Sequence, residues 1–141
     1  MRPEITAAVR DWLANALEDI DTAVLTAEAT PPKRRAAVYH AQQAAEKALK
    51  AYLTLHDRPF DLTHRLPLLL GLCMELDADF GVWREAAEVL TPYATRFRYP
   101  GPPGTPQAPD ADEVLDAVRR ARSLLDFVLA RIPAAAHLPG A

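Results

Sequence analysis

The chain has 141 residues, half of them apolar and a quarter charged, with a formal net charge of −3. This length fits one domain of ordinary size. The single cysteine, Cys73, excludes an internal disulfide and a cysteine-based zinc site, and it favours a reducing compartment. Because the sequence shows neither the apolar core of a signal peptide nor a run long enough to cross a bilayer, we expect a cytoplasmic protein with no membrane partner.

Apolar residues recur three or four positions apart in the first part of the chain, which predicts two long helices. The first is read from Ile5 to Val24 and ends before the two prolines at 31–32. The second runs from near Lys33 to about His56, and its many alanines allow neighbouring helices to approach closely.

Shorter helices are predicted in the rest of the chain. Thr63 is the expected N-cap of a third helix that reaches about residue 76, and a fourth is predicted over 82–97 with a bend at Pro92. Five prolines in 100–109 predict a surface loop there. A fifth helix follows over 110–132, opened by an aspartate N-cap and ended by a proline.

No segment shows the alternation of a β-strand. We therefore predict an all-α protein, an antiparallel up-and-down bundle of four to five helices. Residues 1–132 form one helical domain in this prediction, and 133–141 form a flexible tail.

Positive charge is concentrated in one part of the chain: residues 33–65 carry seven basic and three acidic side chains, whereas 1–32 carry two and six. Within the second helix, His40, Gln43, Lys47 and Lys50 are spaced three or four apart and form one polar stripe, which could bind phosphate. The alternative is a solvated face that carries a Glu46–Lys50 helix pair.

A second candidate site is the Arg96-Phe97-Arg98-Tyr99 segment. Guanidinium groups match phosphate geometry, and aromatic rings can stack on bases. The alternative is a helix end in which the arginines meet exposed carbonyls and the rings complete the core.

Sequence signatures of cofactor and metal sites are missing, including the glycine-rich dinucleotide and phosphate loops and the His-Glu-x-x-His pair. We therefore predict no cofactor and no metal. Cys73 lies in an apolar helical stretch without a basic neighbour, so we interpret it as a buried structural thiol.

Three motifs in chain order resemble the HEPN (higher eukaryotes and prokaryotes nucleotide-binding) domain family. They are Tyr-His-Ala-Gln-Gln-Ala-Ala-Glu-Lys-Ala-Leu-Lys-Ala at 39–51, Thr-His-Arg-Leu at 63–66 and Arg-Tyr-Pro at 98–100. The first helix adds a matching pattern at Ala16, Asp19, Ile20 and Ala23.

The resemblance implies a helical bundle that is usually dimeric and that occurs in toxin–antitoxin modules beside a small nucleotidyltransferase, or elsewhere as a nucleotide-binding or RNA-cleaving unit. Ribonuclease members of the family carry an Arg, a polar residue, a short spacer and a His, and their chemistry is metal-free. Here Arg98 is followed by Tyr99, and no His lies between Arg98 and His137. We therefore do not predict autonomous ribonuclease activity.

The leading hypothesis is a homodimeric domain that binds a nucleotide or RNA and pairs with a nucleotidyltransferase. Its predicted ligand-binding residues are Gln43, Lys47, Lys50, Arg96, Arg98 and Tyr99. One alternative is a metal-free toxin endoribonuclease in which Arg98 works with His40 or His64, provided that the fold brings them together. The other is a module that serves only dimerisation or protein–protein contact.

Overall fold

The computed structural model describes residues 2–137, and this part of the chain is all-helical and contains no strand. Its α-helices are α1 (Pro3–Glu28), α2 (Arg34–Leu55), α3 (Leu66–Leu76), α4 (Arg84–Leu90) and α5 (Ala111–Leu129). Short 3-10 turns lie at Ala78–Trp83, Thr91–Ala94 and Ala134–Ala136. The predicted helical bundle is confirmed. No helix in residues 2–137 is long and apolar enough to cross a membrane.

The centre of the bundle is α2, which packs antiparallel to α1 and also contacts α3 and α5. Its inner face is made of fully buried alanines, which let the neighbouring helix axes approach closely. They are Ala37, Ala41, Ala44, Ala45, Ala48 and Ala51. Close packing on all sides leaves little room for water around any polar side chain that α2 directs inward.

The third helix ends at Leu76 as predicted but begins later than predicted, and the fourth helix is shorter than predicted. Thr63 is not the N-cap of α3; its hydroxyl instead accepts a hydrogen bond from the Arg65 amide (3.0 Å), and α3 begins at Leu66. The predicted 82–97 helix is divided: α4 ends at Leu90 and a 3-10 turn follows. Pro92, which lacks an amide hydrogen, is the second residue of this tighter turn, Thr91–Ala94.

The loop and the start of α5 follow the prediction more closely. Asp110 is the N-cap of α5, because its carboxylate accepts a hydrogen bond from the Glu113 amide at 2.8 Å. Before it, the proline-rich loop has no regular structure, but the Gln107 side chain accepts from the Gly101 amide (2.7 Å) and donates to the Thr105 carbonyl (3.0 Å). These local bonds hold the loop in one shape.

The segment after α5 packs on the bundle instead of fraying. Ala136 is fully buried, and the imidazole of His137 lies 2.7 Å from the Ile132 carbonyl. Arg10 of α1 also donates a hydrogen bond to the Ala135 carbonyl. The tail predicted as flexible is therefore docked through residue 137, and 138–141 lie outside the described residues.

Candidate functional site

An open cavity of about 820 Å³ lies where the start of α2 faces the segment that follows the Thr91–Ala94 turn. We call it the cationic groove. Its lining includes Lys33, Arg34 and Arg35 on one side and Arg98 on the other, and no acidic side chain. All four cationic side chains are exposed, and none forms an ion pair with a residue between 2 and 137.

Three of these cations stand at the positive end of the α2 dipole. Lys33 is the N-cap and makes no side-chain capping bond, and no acidic residue occurs in the first turn. The amides of residues 34–36 have no carbonyl one turn earlier in the helix to bind. Clustered positive charge at a helix N-terminus is unfavourable by itself, and an anion at this place would relieve it.

Arg98 is held over the groove by an aromatic ring. Its guanidinium carbon lies 4.4 Å from the centroid of the Tyr39 ring, within cation–π distance. The preceding residue, Phe97, has a φ of 70° in the left-handed region, and its side chain is buried. At this turn of the chain the Phe97 side chain packs on the core and forms part of the groove wall, and the exposed Arg98 side chain lines the groove beside it.

His40 also lines the groove, and a carboxylate orients its ring. His40 Nδ1 lies 2.8 Å from one Asp19 oxygen, and Lys47 Nζ lies 2.6 Å from the other. Asp19, on α1, is only 8% exposed, so its charge is shared between these two partners. With Nδ1 engaged, Nε2 is the imidazole nitrogen left for a ligand.

A second polar cluster is built around Glu46 and is separate from the groove. One Glu46 oxygen lies 2.9 Å from Lys50 Nζ, and the other lies 2.8 Å from His64 Nδ1. Gln42 donates to the His64 carbonyl at 3.0 Å. The Lys50 ammonium also lies 5.4 Å from the Trp12 ring centroid. This cluster fastens the loop between α2 and α3 to the bundle.

The polar stripe predicted on α2 is therefore not one phosphate-binding surface. Lys50 is 5% exposed and bound to Glu46, Gln43 is buried and donates to Gln42 (2.6 Å), and Lys47 is bound to Asp19. The alternative of a solvated Glu46–Lys50 pair also needs correction, because the pair exists but is buried. The predicted polar stripe is neither a phosphate-binding surface nor a solvated face, because α1 and the α2–α3 loop cover this face of α2.

The second predicted cluster divides in the same way. Arg98 lines the groove, whereas the Arg96 guanidinium stacks on Phe97 (4.4 Å to the centroid) and is outside the lining. Tyr99 is 78% exposed beside Arg98 and is also outside the lining. Of the two candidate histidines, the fold brings His40 to the cavity that Arg98 lines, and it places His64 in the Glu46 cluster.

Sequence reasoning missed the three consecutive cations that open α2, as well as Tyr39. The sequence does indicate an anion site here, because Lys33-Arg34-Arg35 directly follows two prolines and begins a helix without an acidic residue in its first turn. The partnership of Asp19 with His40 and Lys47 has no signal of this kind, since it depends on how α1 and α2 are aligned.

The described residues offer neither a metal site nor a reactive cysteine. Residues 2–137 contain no group of three or more His, Cys, Asp or Glu side chains placed to hold a metal ion. Cys73 is fully buried, and burial raises the pKa of its thiol to about 12. A thiolate, the nucleophilic form of cysteine, is therefore disfavoured at this position.

This environment predicts slow chemical modification of Cys73. Near neutral pH, iodoacetamide is expected to alkylate the native protein at least about 100-fold more slowly than the urea-unfolded protein, because the thiol is both inaccessible and protonated. A time course followed by intact-protein mass spectrometry measures the two rates. Equal rates would contradict the burial of this thiol.

By its fold and its groove, the protein is an all-α up-and-down helical bundle with a cationic cavity at the start of its central helix. The family model of the HEPN domain matches residues 9–132, and the chain belongs to this family. It is also similar to TT1696 from Thermus thermophilus, whose crystal structure has 30% sequence identity and a TM-score of 0.73. That similarity covers 88% of this chain and 98% of TT1696. No curated protein sequence matched the chain.

Proposed function

We propose that this HEPN domain binds the phosphates of a nucleotide or RNA in the cationic groove. The observation that carries the proposal is the convergence of four cationic side chains from two chain segments on one cavity whose lining has no acidic side chain. Arginine presents a planar fork of donors that matches phosphate oxygens, and three of the four cations are arginines. The free amides at the start of α2 add further donors for the same anion.

The size of the groove suits a ligand larger than a single phosphate. A cavity of about 820 Å³ is within the usual range for small-molecule sites. Arg98 covers one face of Tyr39, so this ring positions the guanidinium. The exposed ring of Tyr99, next to Arg98 in the chain, offers a stacking surface for a base of a bound RNA strand. The ligand we propose therefore has several phosphates or is a strand of RNA.

Arg98 provides the direct test. Arg98→Ala is expected to weaken binding of fluorescently labelled ATP or of a short single-stranded RNA by about tenfold, since one charged hydrogen bond to phosphate contributes about 1.5–3 kcal/mol. The matched control is Arg119→Ala, which removes an exposed arginine of α5 that does not line the groove. Equal affinity of both variants and the wild type, or no binding by any of them, would reject the groove.

A metal-free endoribonuclease is the second candidate function, and the placement of His40 and Arg98 on one cavity favours it. His40 Nε2 would take the proton from a ribose 2′-hydroxyl while the 2′-oxygen attacks phosphorus and the bond to the 5′-oxygen breaks. The departing 5′-oxygen would take a proton from water, so the products would be a 2′,3′-cyclic phosphate and a 5′-hydroxyl. Arg98 would stabilise the charge that accumulates on the phosphoryl oxygens, and Asp19 would hold the ring.

This candidate predicts RNA cleavage in the presence of EDTA. Cleavage should be lost in His40→Ala and retained in His64→Ala, because His64 belongs to the Glu46 cluster and not to the groove. Denaturing gels of structured and unstructured RNA measure the products. If the wild type binds RNA but leaves it intact, the binding function stands without the enzyme.

We also propose a homodimer and a nucleotidyltransferase-type partner, as in a toxin–antitoxin module. The support is the family membership together with apolar side chains left exposed on α3, where Leu68 and Leu76 lie two turns apart on one face. Light scattering during size-exclusion chromatography should give the mass of a dimer, and the mass of a monomer would contradict the homodimer.

The partner proposal predicts an adjacent reading frame for a small nucleotidyltransferase. The absence of such a neighbouring gene would contradict the proposed partner.

A further inference from the structure

A second, mostly apolar cavity of about 340 Å³ adjoins the cationic groove. It lies between the end of α1 and the start of α5, and we call it the apolar cavity. Its walls include Val24, Val114 and Val118, and it shares Pro32 and Arg34 with the groove. Because the two cavities share these residues, they lie side by side at the junction of α1 and α2.

Two charged side chains of opposite sign line the apolar cavity. Glu28 is the last residue of α1 and Arg34 is the first residue of α2. Neither side chain has a hydrogen-bond or ion-pair partner within the described part of the chain, and they are not paired with each other. Glu28 stands at the negative end of the α1 dipole and Arg34 at the positive end of the α2 dipole, so each helix dipole is unfavourable for the charge at its end. The cavity thus combines apolar walls with one unengaged acceptor and one unengaged donor.

Guanine matches this combination of groups. Its N1–H and its amino group can both donate to a single carboxylate, while its O6 and N7 accept from an arginine fork. Adenine has an amino donor but neither an N1–H nor an O6 atom, so it cannot engage the carboxylate and the fork in this way. The flat faces of a purine suit the valine and leucine walls.

We propose that the apolar cavity is the base subsite of a guanine nucleotide whose phosphates lie in the cationic groove. The inference rests on the proposed binding function and extends it by naming the base. Glu28 accepts from the base, Arg34 lies between base and phosphates, and Lys33, Arg35 and Arg98 contact the phosphates. The side chain of Val118 forms part of the wall against which the base packs.

Calorimetric titration with GDP, ADP and inorganic pyrophosphate tests the subsite. The wild type is expected to bind GDP at least about tenfold more tightly than ADP, since a bidentate contact to a base gives discrimination of that order. Glu28→Gln should remove this preference and leave the affinity for pyrophosphate unchanged. The matched control Glu18→Gln alters an exposed glutamate of α1 outside the cavity and should retain the preference.

The same titrations separate failure of the subsite from failure of the groove. If pyrophosphate binds and GDP binds no more tightly than ADP, the base subsite is wrong and the phosphate groove stands. If neither GDP nor pyrophosphate binds, both the base subsite and the binding of nucleotide phosphates in the groove are wrong. A Val118→Phe variant fills the apolar cavity, so it should lower the affinity for GDP and leave the affinity for pyrophosphate unchanged. If this variant instead changes the oligomeric mass and keeps the GDP affinity of the wild type, a protein surface occupies the cavity.

Discussion

Replacing Glu46 with alanine is expected to lower the free energy of unfolding by about 3–5 kcal/mol, because it leaves a buried cation without its counter-charge. Glu46 is 3% exposed and holds Lys50 through one oxygen and His64 through the other. Without Glu46, the Lys50 ammonium is buried next to Trp12 with no counter-charge, and the loop between α2 and α3 loses its bond to the bundle through His64. Urea denaturation followed by circular dichroism measures the change.

Two further variants show whether charge burial is the cause. Asp116→Ala removes an exposed helix pair with Arg120 and should cost less than about 1 kcal/mol. The double variant Glu46→Leu with Lys50→Met replaces the buried pair by apolar side chains of similar size and should recover most of the stability. If Glu46→Ala costs no more than Asp116→Ala, the Glu46 cluster does not stabilise the fold as described.

Removing three of the four groove cations together is expected to produce the largest effect on binding. The triple variant Arg34→Ala, Arg35→Ala, Arg98→Ala should bind single-stranded RNA about 100-fold or more weakly than the wild type, since charged hydrogen bonds to phosphate contribute about 1.5–3 kcal/mol each. Fluorescence anisotropy with a labelled RNA measures the affinity.

The fold should survive this triple substitution. All three side chains are exposed, and two of them stand at the positive end of the α2 dipole, where their charge is unfavourable. The midpoint of urea denaturation is therefore expected to be unchanged or slightly raised. A triple variant that stays folded and binds RNA as tightly as the wild type would contradict the groove as the binding site.

Much of the fold could be predicted because the signals are local. The apolar spacing of Ile5 to Val24 and the aspartate at 110 depend on helix geometry and capping alone, and both appear in the structure. The division of the fourth helix was harder to predict. The hydroxyl of Thr91 donates to the Ala87 carbonyl (2.7 Å) and accepts from the Leu66 amide (3.2 Å) of another helix, a tertiary contact with no local trace.

The candidate site was only partly predictable for the same reason. Helical spacing identified His40, Lys47 and Lys50 as neighbours, but spacing does not say which neighbouring element covers each one. Asp19 of α1 binds the first two and Glu46 binds the third. Both lysines are therefore paired with carboxylates, Lys50 buried and Lys47 partly buried. Arg98 could be singled out from its aromatic and proline neighbours, whereas the position of His40 beside the same cavity required the packed bundle.

The salt dependence of RNA affinity tests the central claim most directly. Each phosphate contact contributes about 0.7 to the slope of log affinity against log salt for single strands. Measured between about 50 and 200 mM salt, the wild-type slope should be steeper than that of the Arg34, Arg35 and Arg98 triple variant by about 2. Arg119→Ala should leave the wild-type slope unchanged. Equal slopes for the wild type and the triple variant would show that phosphates do not bind in the cationic groove.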